Sequence, residues 1–178
     1  MREKVNIKRG FTLIEMMVTI AIMAIFASIA VPSFIAFINS SRLTNNVNNL
    51  MSDFMMARTE ASARGVRVVV CPAESATACS TSSAAWSSGR LVFSDANGNG
   101  TFDAGDTMLK YVSGITRVVI TPSEFTNELA IGFSSFGGLV GAKGSFTICL
   151  PSGAGPKGRS LGLDMSGRPI AKRMETCS

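Results

Sequence analysis

The chain has 178 residues, a formal net charge of +5 and no histidine. Without histidine it lacks the commonest general base and the usual partner of a catalytic serine or cysteine, which excludes most catalytic triads and metalloenzymes. We therefore expect no enzyme and no cofactor. The charge is uneven: residues 1–10 hold four basic and one acidic side chain, a net +3 that leaves +2 for the remainder, and residues 143–178 hold six basic and two acidic side chains.

Residues 1–10 form a basic leader, and residues 11–37 form an apolar run. The run is longer than the roughly 20 residues that span a bilayer, and basic flanks stay in the cytoplasm. We therefore predict a transmembrane helix that leaves the rest of the chain outside the cytoplasm.

One carboxylate, Glu15, lies near the start of this apolar run. A charged side chain at membrane depth costs roughly 2.5 to 3.5 kcal/mol, so its retention indicates a function and a partner. Cleavage of the chain after Gly10 would create that partner, because the new ammonium group of Phe11 would neutralise Glu15 in the same chain or in a neighbour. A plain signal anchor is the alternative, under which Glu15 is an unexplained cost.

Residues 38–64 change from uniformly apolar to amphipathic. Apolar side chains recur at spacings of three and four, as on one buried face of a helix: Leu43, Val47, Leu50, Phe54, Ala57 and Ala61. Together with the apolar run they predict one helix from about Phe11 to Arg64, ended by Gly65, which tolerates the left-handed cap. The second half of this helix is expected to pack on a globular domain.

Residues 65–178 are predicted to form a β-rich domain, which makes the fold class α+β. About 110 residues are enough for one domain with a core. Turn residues separate short β-branched or aromatic runs; the runs are 66–70, 91–93, 108–112, 117–120, 129–133, 146–150, 159–163 and 169–170. The Ser/Ala-rich residues 73–89 are predicted to be a surface loop.

The four cysteines, Cys71, Cys79, Cys149 and Cys177, lie in the part that is predicted to be exported, where disulfides persist. Three pairings are open. We favour Cys71 with Cys79, which closes a Ser/Ala-rich loop, and Cys149 with Cys177, which ties down the C-terminal tail. A zinc site is disfavoured because the chain has no histidine and no Cys-x-x-Cys spacing.

The turn between the runs 91–93 and 108–112 has a calcium-like spacing. Oxygen-bearing side chains and a glycine occupy positions 1, 3, 5, 6, 9 and 12 of an EF-hand loop, with a final Asp in place of Glu: Asp95, Asn97, Asn99, Gly100, Asp103 and Asp106. The flanking runs are typical of strands rather than helices. An asparagine/glycine hairpin is therefore the favoured interpretation, a calcium site is the alternative, and no metal is assigned.

The segment Gly10-Phe11-Thr12-Leu13-Ile14-Glu15, between a basic leader and a membrane-length helix, resembles the prepilin-peptidase site of type IV pilins and type II secretion pseudopilins. The resemblance implies that a prepilin peptidase/methyltransferase cleaves after Gly10 and methylates Phe11. It also implies that Glu15 sets the register between stacked subunits and that Pro32 bends the helix. The expected location is the bacterial inner membrane with a periplasmic domain, followed by incorporation in a filament of minor and major pilins or pseudopilins.

The order of the later motifs is similar to the GspH/FimT group, whose pilin-like fold packs a long N-terminal helix on antiparallel β-sheets. These motifs are Trp86 to Phe93, the turn from Asp95 to Asp106, Phe133-x-x-x-Gly137, and the tail from Cys149 to Cys177. The group holds minor pilins of type IV pili and the minor pseudopilin H of type II secretion. The resemblance implies a place at or near the filament tip.

Three functions are open from the sequence. The first is a minor type IV pilin that takes part in pilus assembly and initiation, and the second is a minor pseudopilin of a secretion system. The third is a DNA-binding minor pilin used in natural transformation, because DNA-binding members carry Gly-Arg followed by another basic residue near the C-terminus. Here Gly167-Arg168 is followed by Lys172 and Arg173 only after three further residues, so the compact spacing is absent. A solvated edge strand explains these three cations equally well.

Overall fold

The computed structural model describes residues 10–113, 117–151 and 158–177. The predicted leader lies outside these residues except for Gly10. The described chain forms two compact units, with the boundary between Ile38 and Asn39. One helix, α1, runs from Leu13 to Arg64, close to the predicted bounds.

The first unit carries the apolar run. Every side chain from Phe11 to Phe37 is exposed, including phenylalanines such as Phe26, which is 69% exposed. Within the described residues, α1 is the one helix that is long and apolar enough to cross a membrane. So large an apolar surface indicates contact with lipid or with other protein chains.

The second half of α1 has one buried face in the second unit. Its buried residues are Leu43, Val47, Leu50, Asp53, Phe54, Ala57 and Ala61. The six apolar members are the face that the sequence predicted, and Asp53 is an addition to it. The helix ends as predicted at Gly65, which has a φ of 68° and donates its N–H to the Ala61 carbonyl at 3.0 Å.

Nine strands follow α1 in the part of the chain that the structure describes. They are β1 (Arg67–Pro72), β2 (Gly89–Asp95), β3 (Thr107–Ser113), β4 (Val119–Ser123), β5 (Ile131–Phe133), β6 (Leu139–Val140), β7 (Gly144–Cys149), β8 (Gly158–Leu163) and β9 (Pro169–Met174). Sheet 1 has the antiparallel order β3-β2-β1-β5-β6, and sheet 2 has the antiparallel order β4-β7-β8-β9. A 3-10 helix, Ser83–Ser87, lies between β1 and β2.

The main core joins α1 to both sheets. Phe54 of α1 lies 6.1 Å from Phe133 of β5 and 5.4 Å from Phe146 of β7, measured between ring centroids. All three rings are completely buried. Because truncation of a buried phenylalanine to alanine typically costs about 3 to 5 kcal/mol, this aromatic contact is a major part of what holds the two sheets on one helix.

Each predicted β run overlaps an observed strand, with shifts at the ends. The predicted run at 169–170 extends into β9 as far as Met174, and so takes in Lys172 and Arg173. The strand β6 was not predicted, because two residues carry too little alternation to be recognised.

The prediction of a surface loop at residues 73–89 was wrong for its second half. The 3-10 helix places Trp86 in the core, where it is completely buried and its ring centroid lies 4.8 Å from that of Phe146. The indole N–H donates to the Glu128 carbonyl at 2.8 Å. Trp86 was not predicted to be buried, because the segment around it is rich in Ser and Ala and its contact residues are distant in the sequence.

A second, smaller core covers the other face of sheet 1. Val69 and Leu91 belong to it, and Phe102 from the β2–β3 connection packs on Phe93 with ring centroids 5.3 Å apart. The disulfide between Cys71 and Cys79 borders this core. A second disulfide joins Cys149 at the end of β7 to Cys177 in the tail. These are the two pairs that the sequence favoured.

Candidate functional site

The N-terminus of α1 is capped by two reciprocal hydrogen bonds between Thr12 and Glu15. The Glu15 backbone N–H donates to Thr12 Oγ1 at 3.2 Å, and the Thr12 N–H donates to Glu15 Oε2 at a longer 3.5 Å. This is the capping box, in which a threonine and a glutamate three residues later satisfy free N–H groups at a helix start. The pattern Thr-x-x-Glu before an apolar run was visible in the sequence, but its capping role was missed.

Glu15 therefore lies in the first turn of the helix, where the macrodipole favours a negative charge. The carboxylate reaches the backbone N–H of Thr12, one residue away from Phe11. Cleavage after Gly10 would convert the Phe11 nitrogen into an ammonium group next to this position. The structure thus places Glu15 at the end of the helix where a new amine would form.

Nothing in the described residues requires a glycine at position 10. A Cβ built on Gly10 has no heavy atom of the described residues within 4 Å. Gly10 and Phe11 are exposed.

Pro32 lies inside α1, and the helical assignment continues through it. A proline in a helix interior has no N–H to donate and crowds the carbonyl four residues earlier, here that of Ser28. The Ser28 hydroxyl donates to the Ile25 carbonyl at 2.7 Å. The bend expected at Pro32 stays a prediction.

Asp53 forms a buried ionic cluster that the sequence analysis missed. Arg90 of β2 donates to Asp53 Oδ2 through Nε at 2.9 Å and approaches it through Nη2 at 2.7 Å. Lys110 of β3 contacts the other oxygen, Oδ1, at 2.7 Å. The side chains of Asp53 and Arg90 are each 1% exposed, whereas that of Lys110 is 38% exposed. The cluster fixes α1 to two neighbouring strands of sheet 1.

The calcium-like turn from Asp95 to Asp106 connects β2 to β3, as the hairpin interpretation predicted. Amide groups of Asn97 and Asn99 both donate to Asp103 Oδ2 at 2.9 Å. Asp106 accepts from the backbone N–H groups of Ala96 and Asp103. Within residues 10–113, 117–151 and 158–177, no three His, Cys, Asp or Glu side chains are grouped as a metal site.

Hydrogen bonds to Asp103 lower its pKa below the ordinary value of 3.8. The backbone N–H of Gly105 has the largest effect, followed by the amide groups of Asn97 and Asn99. Donors that point at a carboxylate stabilise its charged form. The turn is therefore organised around an ionised Asp103.

The three cations of the suggested DNA site do not share one surface. Lys172 and Arg173 are successive residues of β9, so their side chains point to opposite faces of sheet 2. Arg173 pairs across the strands with Arg159, and Lys172 pairs with Ser160. Arg168 lies in the turn before β9. Like charges opposite each other and cations on two faces do not form a continuous track for a phosphate backbone.

A shallow groove of about 300 Å³ lies beside Lys172. Its lining mixes charges of both signs with small residues, and includes Glu124, Lys143, Ser145, Ser160, Asp164 and Lys172. The mixed charge makes the groove a poor match for a polyanion.

Comparison with known proteins assigns the family. A family model described as type II transport protein GspH matches residues 46–167, more than half of the chain. The chain belongs to the GspH family. A second model, the prokaryotic N-terminal methylation motif, matches residues 6–31 of this GspH family member and includes Gly10, Phe11 and Glu15.

Solved structures show the same fold. A crystal structure of the type IV minor pilin FimU of Pseudomonas aeruginosa is similar with a TM-score of 0.58 and 19% identity, over 80% of this chain and 99% of the solved chain. A second crystal structure of FimU gives a TM-score of 0.55 and 20% identity, over 76% of this chain and 100% of the solved chain. The predicted α+β pilin-like fold is confirmed.

One curated relative is similar over a short stretch of its length. Fimbrial protein Q of Moraxella bovis is 47% identical over 45 residues, which are 25% of this chain and 29% of that protein. The match thus spans less than a third of the relative. The family, the fold and the apolar helix are those of membrane-anchored structural pilins.

Proposed function

We propose that this GspH family member is a minor type IV pilin, a structural subunit that takes part in pilus assembly and is not an enzyme. The observation that carries the proposal is the methylation motif on an exposed apolar helix, in a chain whose domain has the fold of FimU. The family resemblance favours a place in the complex that starts the filament, at or near its tip.

Processing is the first step of this function. A prepilin peptidase/methyltransferase removes residues 1–10 and methylates the new amine of Phe11. The apolar residues 11–37 hold the subunit in the inner membrane, and the disulfide-bonded domain lies in the periplasm. The two disulfides support this location, because such bonds persist in oxidising compartments.

Assembly then moves the apolar helix from lipid to a filament core. The side chains from Phe11 to Phe37 are exposed and form the surface that neighbouring helices cover. Glu15 would be costly in that core without a cation. Pairing with the Phe11 amine of a neighbouring subunit offsets this cost only at the correct axial position, and so sets the register.

Deletion and complementation test the function. We expect a deletion strain to lose surface pili and twitching motility, and wild-type protein to restore both. Glu15→Gln, which removes the charge and keeps the shape, should fail to restore them. The matched control is Glu60→Gln, which removes another carboxylate of α1, one that is paired with Arg64 on the surface. Normal piliation and twitching in the deletion strain would refute the proposal.

A minor pseudopilin of a type II secretion system is the second candidate. The description of the matching family model, type II transport protein GspH, favours it. The same deletion strain separates the two functions. Loss of protein secretion with intact pili and twitching would assign the subunit to the secretion system.

A further inference from the structure

The connection from β2 to β3 contains both Asn-Gly bonds of the sequence, Asn97-Gly98 and Asn99-Gly100. We propose that Asn97 is a site of spontaneous deamidation and that the fold protects Asn99 from the same reaction. Asparagine is a thermolabile residue, and a following glycine favours the reaction because it has no side chain to hinder the attack of its nitrogen. The modification site is independent of the pilin function proposed above.

The reaction needs only the chain and water. The Gly98 nitrogen gives its proton to a hydroxide ion and attacks Cγ of Asn97. A bond forms between this nitrogen and Cγ, the bond from Cγ to Nδ2 breaks, and Nδ2 takes a proton from water and leaves as ammonia. Water then opens the cyclic imide at one of its two carbonyls, which gives aspartate or isoaspartate at position 97. One water molecule is consumed and one ammonia molecule is released.

The nitrogens of the two glycines differ in their hydrogen bonds. The Gly100 N–H donates to Asp95 Oδ2 at 2.9 Å, and Asp95 is only 2% exposed. A hydrogen bond to a buried carboxylate is charge-assisted, so it opposes the loss of this proton. The Gly98 N–H donates to no acceptor among the described residues, and Gly98 is exposed. The attacking nitrogen is therefore accessible to hydroxide at Gly98 and blocked at Gly100.

The two asparagine side chains are held in nearly the same way. Each amide nitrogen donates to Asp103 Oδ2 at 2.9 Å. Each amide oxygen accepts the backbone N–H two residues later, at 3.1 Å for Asn97 and at 2.7 Å for Asn99. The longer contact also makes the Asn97 side chain easier to release. Asn99 is thus an internal reference that differs from Asn97 mainly in the following N–H group.

Deamidation of Asn97 would weaken the contacts that hold the loop. The Nδ2 that donates to Asp103 Oδ2 is replaced by an oxygen, so a hydrogen bond becomes a contact between two carboxylates. Isoaspartate also adds one atom to the backbone next to Gly98, whose φ is 76° and whose carbonyl accepts from Arg67 at 2.9 Å. We therefore expect the modified chain to have a lower melting temperature.

Timed incubation of the full chain in detergent at mildly alkaline pH tests the site. Mass spectrometry with peptide fragmentation then measures the conversion of each asparagine. We expect Asn97 to convert about tenfold faster than Asn99, because a hydrogen bond to a charged group has a free energy of the size that this ratio requires. The control is the same chain unfolded in urea, in which the two residues should convert at similar rates.

Two results of this incubation would overturn the proposal. One is conversion of Asn99 as fast as that of Asn97 in the folded chain. The other is an unconverted Asn97 after a time in which the unfolded chain has reacted completely.

Variants at position 97 test the effect on the loop. Asn97→Asp has the charge of the product and should melt at a lower temperature than the wild type, as followed by Trp86 fluorescence. Asn97→Gln keeps the amide but not the reactive geometry, so its melting temperature should not fall on incubation. The control is Asn127→Asp, because Asn127 also accepts a backbone N–H two residues later, that of Leu129, and contacts no carboxylate in the described structure. Equal melting of Asn97→Asp and the wild type, or an equal fall in incubated Asn97→Gln and wild type, would contradict this effect.

Discussion

Asp53 of α1 and Arg90 of β2 form an ion pair that is closed to solvent, with 2.7 Å between Oδ2 and Nη2. Lys110 contacts the second oxygen of Asp53 from the partly exposed side. Arg90 Nη1 is buried without a hydrogen-bond partner in the described structure. The desolvation penalty of the buried guanidinium is therefore offset mainly by its contacts with Asp53. This pair sits on the helix face that is otherwise apolar.

Replacement of Asp53 by alanine should destabilise the domain by about 3 to 5 kcal/mol, because it leaves the buried charge of Arg90 without a partner. Urea denaturation followed by Trp86 fluorescence measures this loss. The control is Glu60→Ala, which removes a partly exposed carboxylate from an i,i+4 pair with Arg64 and should cost less than about 0.5 kcal/mol. Similar losses in the two variants would contradict a structural role for the buried pair.

Replacement of Gly10 by valine should block removal of the leader, because the proposed cleavage follows this small residue and a branched side chain would crowd the bond that is cut. The substitution has open space in the structure, so folding is expected to be unaffected. Intact-mass measurement of the protein recovered from membranes would show residues 1–10 still attached. Asn6→Val is the control within the leader and should be processed; normal processing of Gly10→Val would rule out this site.

Acid should destabilise the β2–β3 turn through Asp103. Because the folded-state pKa of Asp103 is lowered from 3.8, its contribution to stability is present above that pH and is lost as pH falls through the folded-state pKa. Asp103→Asn should therefore show a smaller drop in melting temperature below pH 3.8 than the wild type. Parallel melting curves of the two proteins across this acid range would contradict the assignment.

Binding to DNA should be absent at physiological ionic strength. The exposed cations Lys172 and Arg173 lie on opposite faces of β9, and few phosphates can contact both at once. A gel-shift assay in detergent measures DNA binding by the full chain. The wild type is compared with a variant in which Arg168, Lys172 and Arg173 are all replaced by alanine. Salt-dependent binding that disappears in the triple variant would favour the DNA-uptake function instead.

Local pattern was enough to predict α1, its apolar face and most strands. The six apolar residues from Leu43 to Ala61 repeat at helical spacing. Gly65 has a positive φ, which is the left-handed conformation that glycine tolerates at the end of a helix. The periodic burial of helix residues (period 3.6) and strand residues (period 2) depends on residues that are close together in the sequence. It can therefore be predicted from the sequence alone.

Contacts between distant residues were not predictable in the same way. Asp53 reads as a polar surface residue, because its partners lie 37 and 57 positions away in the sequence. Trp86 was assigned to a loop for the same reason, since its hydrogen-bond partner is 42 positions away. Lys172 and Arg173 looked like one basic cluster until the extent of β9 placed them on two faces.

We infer that the mature subunit begins at Phe11 and is part of a pilus. Mass spectrometry of pili sheared from the cell surface tests it most directly. We expect the N-terminal peptide of this chain to be recovered from the sheared fraction, to start at Phe11, and to carry a methyl group on its amine. Recovery of the chain only in the membrane fraction, with residues 1–10 still attached, would contradict the account.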